Sequence, residues 1–82
     1  MKVYLKTWCP WCIEAINWLQ ERGYEFETID VEESRENYQE MITLSGQRLT
    51  PTLVLEDDSL LADFDVDQLE SFLKRHNVTP PQ

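Results

Sequence analysis

The chain has 82 residues, with 7 Lys plus Arg against 16 Asp plus Glu, a formal charge of -9 and a pI near 4.3. That length holds one small domain, expected over residues 1–78 with a disordered tail at 79–82. A surface this acidic repels phosphate backbones and anionic headgroups, so neither nucleic acid nor a membrane is an expected partner. No stretch nears the roughly 20 apolar residues of a membrane span, and Met1-Lys2-Val3-Tyr4-Leu5-Lys6 lacks the apolar run of a signal peptide. The only cysteines, Cys9 and Cys12, are too close in sequence to staple distant segments. These features predict a monomer in a reducing, cytoplasmic compartment.

The first predicted element is a buried strand over residues 2–6, centred on Val3-Tyr4-Leu5. Pro10 then opens a helix, because proline suits the first helical turn. Ile13, Ile16, Trp18 and Leu19 recur at helical spacing with Ala15 between them, and Arg22-Gly23 ends the helix with glycine as cap. Residues 24–31 alternate and are rich in β-formers, which predicts an edge strand. Residues 33–44 read as a second amphipathic helix anchored by Tyr38, Met41, Ile42 and Leu44 and stopped at Ser45-Gly46. A loop leads to a third strand over residues 52–55. An acidic turn, Glu56-Asp57-Asp58-Ser59, returns the chain into a short fourth strand at residues 60–62. Asp65 is a suitable N-cap for the last helix and Asp67 complements its dipole. Leu69, Phe72 and Leu73 form the buried stripe of that helix, and Lys74-Arg75-His76 stand where cations belong. The order β-α-β-α-β-β-α predicts an α/β fold: a four-stranded mixed sheet with helices on both faces. In it the first two strands are parallel through a right-handed crossover and the last two are antiparallel.

The chemistry concentrates in Trp8-Cys9-Pro10-Trp11-Cys12, between a strand and a helix. Two cysteines two residues apart read as a redox dithiol, as half of a zinc site or as buried apolar side chains. Zinc needs about four ligands, and beyond the pair the sequence offers only His76 at the far end of the chain, so no metal site is expected. At a helix N-terminus, free backbone N–H groups stabilise a thiolate at Cys9. Cys12, one turn inside, is placed to attack a sulfur bonded to Cys9. Cys9 is thus the expected exposed, attacking thiol and Cys12 the resolving one. Pro10 stiffens the turn, and Lys6 adds positive potential. Glu14 is expected in the first helical turn as a solvated carboxylate. Trp8 and Trp11 flank the cysteines as an apolar contact surface.

Residues Lys6-Thr7-Trp8-Cys9-Pro10-Trp11-Cys12 resemble the active-site segment of glutaredoxins and their thioredoxin-superfamily relatives. Thr50-Pro51 is similar to the family's second signature, a Thr/Val-Pro pair with a cis proline, and Asp30-Val31 resembles the usual end of the second strand. The resemblance covers roughly residues 2–75 and implies a thioredoxin-like fold. It implies a small dithiol thiol-disulfide oxidoreductase that reduces protein or glutathione mixed disulfides, with no bound cofactor and glutathione as co-substrate. It places Pro51 opposite Cys9 and gives the Thr50 backbone to a substrate peptide or to glutathione. Lys6 takes the place of a basic residue that contacts the glycyl carboxylate of glutathione; Gln39 and Arg48 are further candidates on that side.

Where typical glutathione-using members carry Gly-Gly and a polar residue, this chain has Leu61-Ala62-Asp63-Phe64-Asp65. Leu61 and Ala62 are expected to add bulk against the ligand, with Asp63 or Asp65 accepting from the γ-glutamyl ammonium. The same segment is similar to the Gly-Phe-x-Pro-Asp of glutaredoxin-like electron donors to ribonucleotide reductase, but without its Gly and Pro. That similarity implies thioredoxin reductase as the reductant. A competing expectation is a noncatalytic adaptor that binds proteins through Trp8, Trp11 and Pro51.

Overall fold

Alternation along the first strand decides the layers. In the computed structural model, which describes residues 1–81, Val3 and Tyr4 are both fully buried although neighbouring side chains on a strand point to opposite faces. Only a strand covered on both sides can do this, so β1 (Lys2–Leu5) lies inside the sheet. The other elements are α1 (Pro10–Glu21), β2 (Glu27–Asp30), α2 (Arg35–Ser45), β3 (Thr52–Val54), β4 (Leu60–Ala62) and α3 (Val66–Arg75). The sheet order is β2-β1-β3-β4. β2 runs parallel to β1, and β3 is antiparallel to both β1 and β4. This is the thioredoxin-like arrangement, with β2 at one edge.

Val3 joins Ala15 and Leu19 of α1, Leu53 and Leu55, Phe64, and Leu69, Phe72 and Leu73 of α3 in the larger core. Tyr4 joins Val31, Met41 and Val54 in a smaller one beneath α2. The Tyr4 hydroxyl leaves that smaller core by donating to Glu40 Oε2 at 2.6 Å. Burial and the Glu40 carboxylate together push the Tyr4 hydroxyl far above the usual phenol range.

The elements agree in kind and order with the sequence reading, and the differences have local causes. The second strand is four residues rather than eight. Tyr24 and Phe26 pack against the larger core instead of entering the ladder, and the Tyr24 ring stacks on Trp18 with centroids 5.8 Å apart. The second helix starts at Arg35 because Ser34 caps it, its Oγ accepting from the Asn37 N–H at 3.1 Å. Gly46 closes the same helix at φ 70°, a left-handed conformation that suits glycine. On α1 the buried stripe is Cys12, Ala15 and Leu19, with Ile16 partly covered; Ile13 is 47% exposed and does not belong to it. Leu44, expected as an anchor of α2, is also exposed.

α3 begins at the expected N-cap, which the structure extends into a capping box: Asp65 Oδ1 accepts from the Gln68 N–H at 2.8 Å and Gln68 Oε1 from the Asp65 N–H at 3.0 Å. Of the expected tail, Gln82 lies outside the described residues. Thr79–Pro81 form no helix or strand, and Pro80 is half-buried in a cleft shared with Tyr24 and Val78. Among the described residues no helix is long and apolar enough to cross a membrane.

Candidate dithiol site

Parallel pairing sends β1 out of the sheet beside β2, and the chain turns immediately into α1. The Cys9 N–H donates to the Lys6 carbonyl at 3.2 Å, which closes that turn. Cys9 is then the N-cap residue of α1 with extended backbone (φ -77°, ψ 118°), and Pro10 occupies the first helical position. The cap is therefore a thiol, where serine, threonine or aspartate would ordinarily stand. Glu14 comes after the first turn, which contains no acidic residue, so nothing in that turn opposes negative charge on Cys9.

Cys9 is 9% exposed and Cys12 1%. The expectation of an exposed attacking thiol is corrected to this extent: Cys9 is nearly covered, because its Sγ tucks 3.9 Å from the Thr50 carbonyl oxygen. Burial works against a thiolate at Cys9. The Cys12 thiol, the Cys12 backbone, Thr50 and the Trp11 backbone outweigh it and hold the Cys9 thiol below its ordinary value. Cys12 goes the other way. Burial, with the Cys9 sulfur adding to it, pushes its thiol up to about 11 against smaller opposing pulls from the Lys6 backbone and Thr50. Two thiols one helical turn apart are thus driven in opposite directions, and both are free rather than bonded to each other.

Thr50-Pro51 is a cis peptide bond, as expected, and Pro51 is fully buried beside the site. The Pro51 carbonyl accepts from the Asp63 N–H at 2.9 Å, which brings the segment after β4 to the same end of the sheet. Lys6, Trp8, Pro10, Trp11, Thr50, Pro51 and Asp63 are therefore gathered around Cys9 and Cys12. Trp8 and Trp11 are 64% and 56% exposed, an apolar rim beside the thiol. Arg48 is exposed in the loop before Thr50. Asp65 uses its carboxylate to cap α3. Gln39 is not brought to the site: it bonds Thr43 and lines a cleft of about 780 Å³ with Lys2, at the opposite end of β1 from Lys6.

The steric expectation at Leu61 is also corrected. Leu61 pairs with Leu53 and packs on the larger core, away from the site, and Ala62 pairs with the buried Thr52. The backbone position that suits glycine is the next one, Asp63, at φ 54°. Aspartate is among the few other residues that tolerate this conformation.

Sequence reasoning missed two contributors. Glu32 Oε1 accepts from the Trp8 indole N–H at 2.7 Å, and Lys6 Nζ lies 5.5 Å from the centre of the same ring. Gln47 donates to Ser45 Oγ at 2.8 Å and to Thr52 Oγ1 at 2.9 Å, and accepts from the Leu49 N–H at 2.6 Å. The Thr52 hydroxyl donates to the Leu49 carbonyl at 2.7 Å. The carbonyl of the residue before Thr50 is thereby fixed from below, and its N–H is held by Gln47 at the surface. A polar residue just past Ser45-Gly46 is the one sequence signal for Gln47, and the acidic pair after Asp30-Val31 the one for Glu32.

The glutaredoxin family model matches residues 1–60, a span that includes both cysteines and the cis-proline loop. The chain belongs to the glutaredoxin family. A glutaredoxin-like 8.6 kDa protein, itself uncharacterized, in a rubredoxin operon of Clostridium pasteurianum is 23% identical over 75 residues, covering 92% of this chain and 99% of that one. Among solved structures, the thioredoxin-like protein BC3987 is 25% identical, covers 88% of this chain and 97% of its own, and superposes with a TM-score of 0.78. The glutaredoxin from Archaeoglobus fulgidus, 20% identical over 89% of this chain and 84% of that one, shares the fold at a TM-score of 0.75. Fold, family and the Cys9–Cys12 pair give this glutaredoxin a general thiol-disulfide oxidoreductase role.

Proposed function

We propose that this glutaredoxin is a dithiol oxidoreductase in which Cys9 is the nucleophile and Cys12 the resolving thiol, acting on disulfides of proteins or on their mixed disulfides with glutathione. The observation that carries this is the opposite drive on the two thiols, one an N-cap with a lowered pKa and the other buried beneath it. The Cys9 thiolate attacks one sulfur of the substrate disulfide; that S–S bond breaks, and the departing thiolate takes up a proton. Cys12 then loses its proton and attacks the Cys9 sulfur, releasing the second substrate thiol and leaving a Cys9–Cys12 disulfide. Two electrons and two protons pass from protein to substrate. Trp8, Trp11 and the Thr50 backbone form the surface on which the substrate rests, and a reducing cytoplasm suits such a monomeric carrier. Brief alkylation of the reduced protein near pH 6, read by mass spectrometry, labels Cys9 before Cys12; the reverse preference exchanges the two roles.

A second reading, a donor to ribonucleotide reductase served by thioredoxin reductase, is favoured by the segment after β4. Asp63 has the backbone conformation that suits the glycine of Gly-Phe-x-Pro-Asp, Phe64 is buried, and Val66 stands at the first helical position that suits its proline. NADPH oxidation coupled once through glutathione with glutathione reductase, and once through thioredoxin reductase, separates the readings by which couple turns over. Turnover in neither would favour the adaptor role.

A further inference from the structure

The turn after β2 delivers a carboxylate to the edge of the dithiol site. Asp30 Oδ1 accepts from the Glu32 N–H at 2.8 Å, and Val31 between them is buried under α2, so the position of Glu32 is set by the fold. Its side chain bonds the indole of Trp8, the residue next to Cys9. Lys6, Val31, Glu32, Ser34, Arg35 and Tyr38 line one open cleft of about 430 Å³. Lys6 and Arg35 would make that cleft attractive to an anion, and Glu32 places a negative charge among them. Among the described residues Glu32 forms no ion pair with either cation, so its field is not cancelled by a direct partner.

We propose that Glu32 is a specificity-determining residue that turns away small anionic disulfides, those carrying carboxylates near their sulfurs, while holding the Trp8 ring in place for uncharged or apolar segments of a protein substrate. A ligand carboxylate drawn to Lys6 must settle beside Glu32 or displace it from the indole, and either costs affinity. An uncharged disulfide meets the fixed ring without that repulsion. This assignment rests on the dithiol reading and adds the chemistry of the substrate to it.

The test is single-turnover oxidation of the fully reduced protein by glutathione disulfide, which is anionic, and by hydroxyethyl disulfide, which is neutral. The quantity read is the ratio of the two second-order rate constants. Glu32→Gln keeps an oxygen to accept from the Trp8 indole and removes only the charge. It is expected to raise the anionic-to-neutral ratio about fivefold at low ionic strength, the scale of one exposed charge contact. The rise should vanish near 1 M salt, where the screening length is about 3 Å. An unchanged ratio at low salt, or a rise that persists at high salt, overturns the proposal. If the wild-type protein reduces neither disulfide, the dithiol reading falls and this assignment with it; if it reduces both and the ratio stays flat, the role of Glu32 alone is lost.

Discussion

Two loops meet over the Cys9 sulfur, and they are held in different ways. Residues 46–50 are tied from inside. The fully buried Thr52 hydroxyl accepts from the Gln47 amide and donates to the Leu49 carbonyl, Gln47 also accepts from the Leu49 N–H at the surface, and Ser45 Oγ passes the network on to the Met41 carbonyl at 2.6 Å. Residues 6–9 are closed by one backbone bond, and their side-chain tie, Trp8 to Glu32, lies on the surface. Buried hydrogen bonds leave costly orphans when broken, whereas exposed ones exchange with water. The Thr50 carbonyl is therefore placed by the fold itself. The cysteine loop keeps side chains whose loss the fold can absorb, and those are the positions where substrate preference can change without loss of stability.

The largest expected effect removes the sulfur that both loops serve. Cys9→Ser should lower disulfide reduction more than about a thousandfold, since a hydroxyl at neutral pH supplies almost no anion. Far-UV circular dichroism should stay unchanged. Retained reduction in this variant would move the chemistry to Cys12.

Next comes the inner tie. Thr52→Val keeps the shape but removes the hydroxyl that serves Gln47 and the Leu49 carbonyl. Equilibrium urea unfolding should show a loss of about 2–3 kcal/mol, the cost of leaving buried polar groups unpaired. Thr52→Ser restores the hydroxyl and should lose only about 1 kcal/mol for the missing methyl group. Equal losses for the two variants would mean that packing, rather than hydrogen bonding, holds the platform.

A smaller effect separates the two thiols. The thiolate is the form that alkylates, and the Cys12 thiol helps to lower the Cys9 pKa against the opposing effect of burial. Cys12→Ala removes that donor, so the midpoint of Cys9 alkylation should move to higher pH. The variant should also accumulate a mixed disulfide with substrate, because nothing resolves it. A midpoint that stays or falls would assign the lowered pKa to the backbone of α1 and to Thr50.

Most of the frame could be read from the chain because its punctuation is local. Pro10 opens α1, Gly46 closes α2 and Asp65 caps α3, each acting within a few residues. The dithiol and the Thr50-Pro51 step were legible for the same reason. Ile13 misled because helical spacing identifies a face without saying how wide its covered part is, and here Cys12 is covered instead. Leu61 misled because a strand two or three residues long does not reveal which face each side chain takes; its pairing with Leu53 sets that. Glu32 and Gln39 exchanged importance for a related reason. Trp8 and Glu32 are 24 positions apart and meet only because β1 and β2 are parallel neighbours. Gln39 faces outward one turn after the Arg35 that lines the cleft beside Lys6.

The smallest expected effect tests the surface tie directly. Trp8→Phe keeps an aromatic ring beside Cys9 and removes the N–H that Glu32 accepts. The Trp8 ring is 64% exposed, so the lost bond is replaced by water around Glu32, and the net contribution of such contacts is about 0–1 kcal/mol. Urea unfolding followed by far-UV circular dichroism should therefore place Trp8→Phe within about 0.5 kcal/mol of the wild type, as for most surface substitutions. The fall should be several times smaller than for Thr52→Val. A loss of about 2 kcal/mol or more, the scale of a buried polar group left unpaired, would show the two loops to be held equally firmly, and the contrast between an inner and an outer tie would fail.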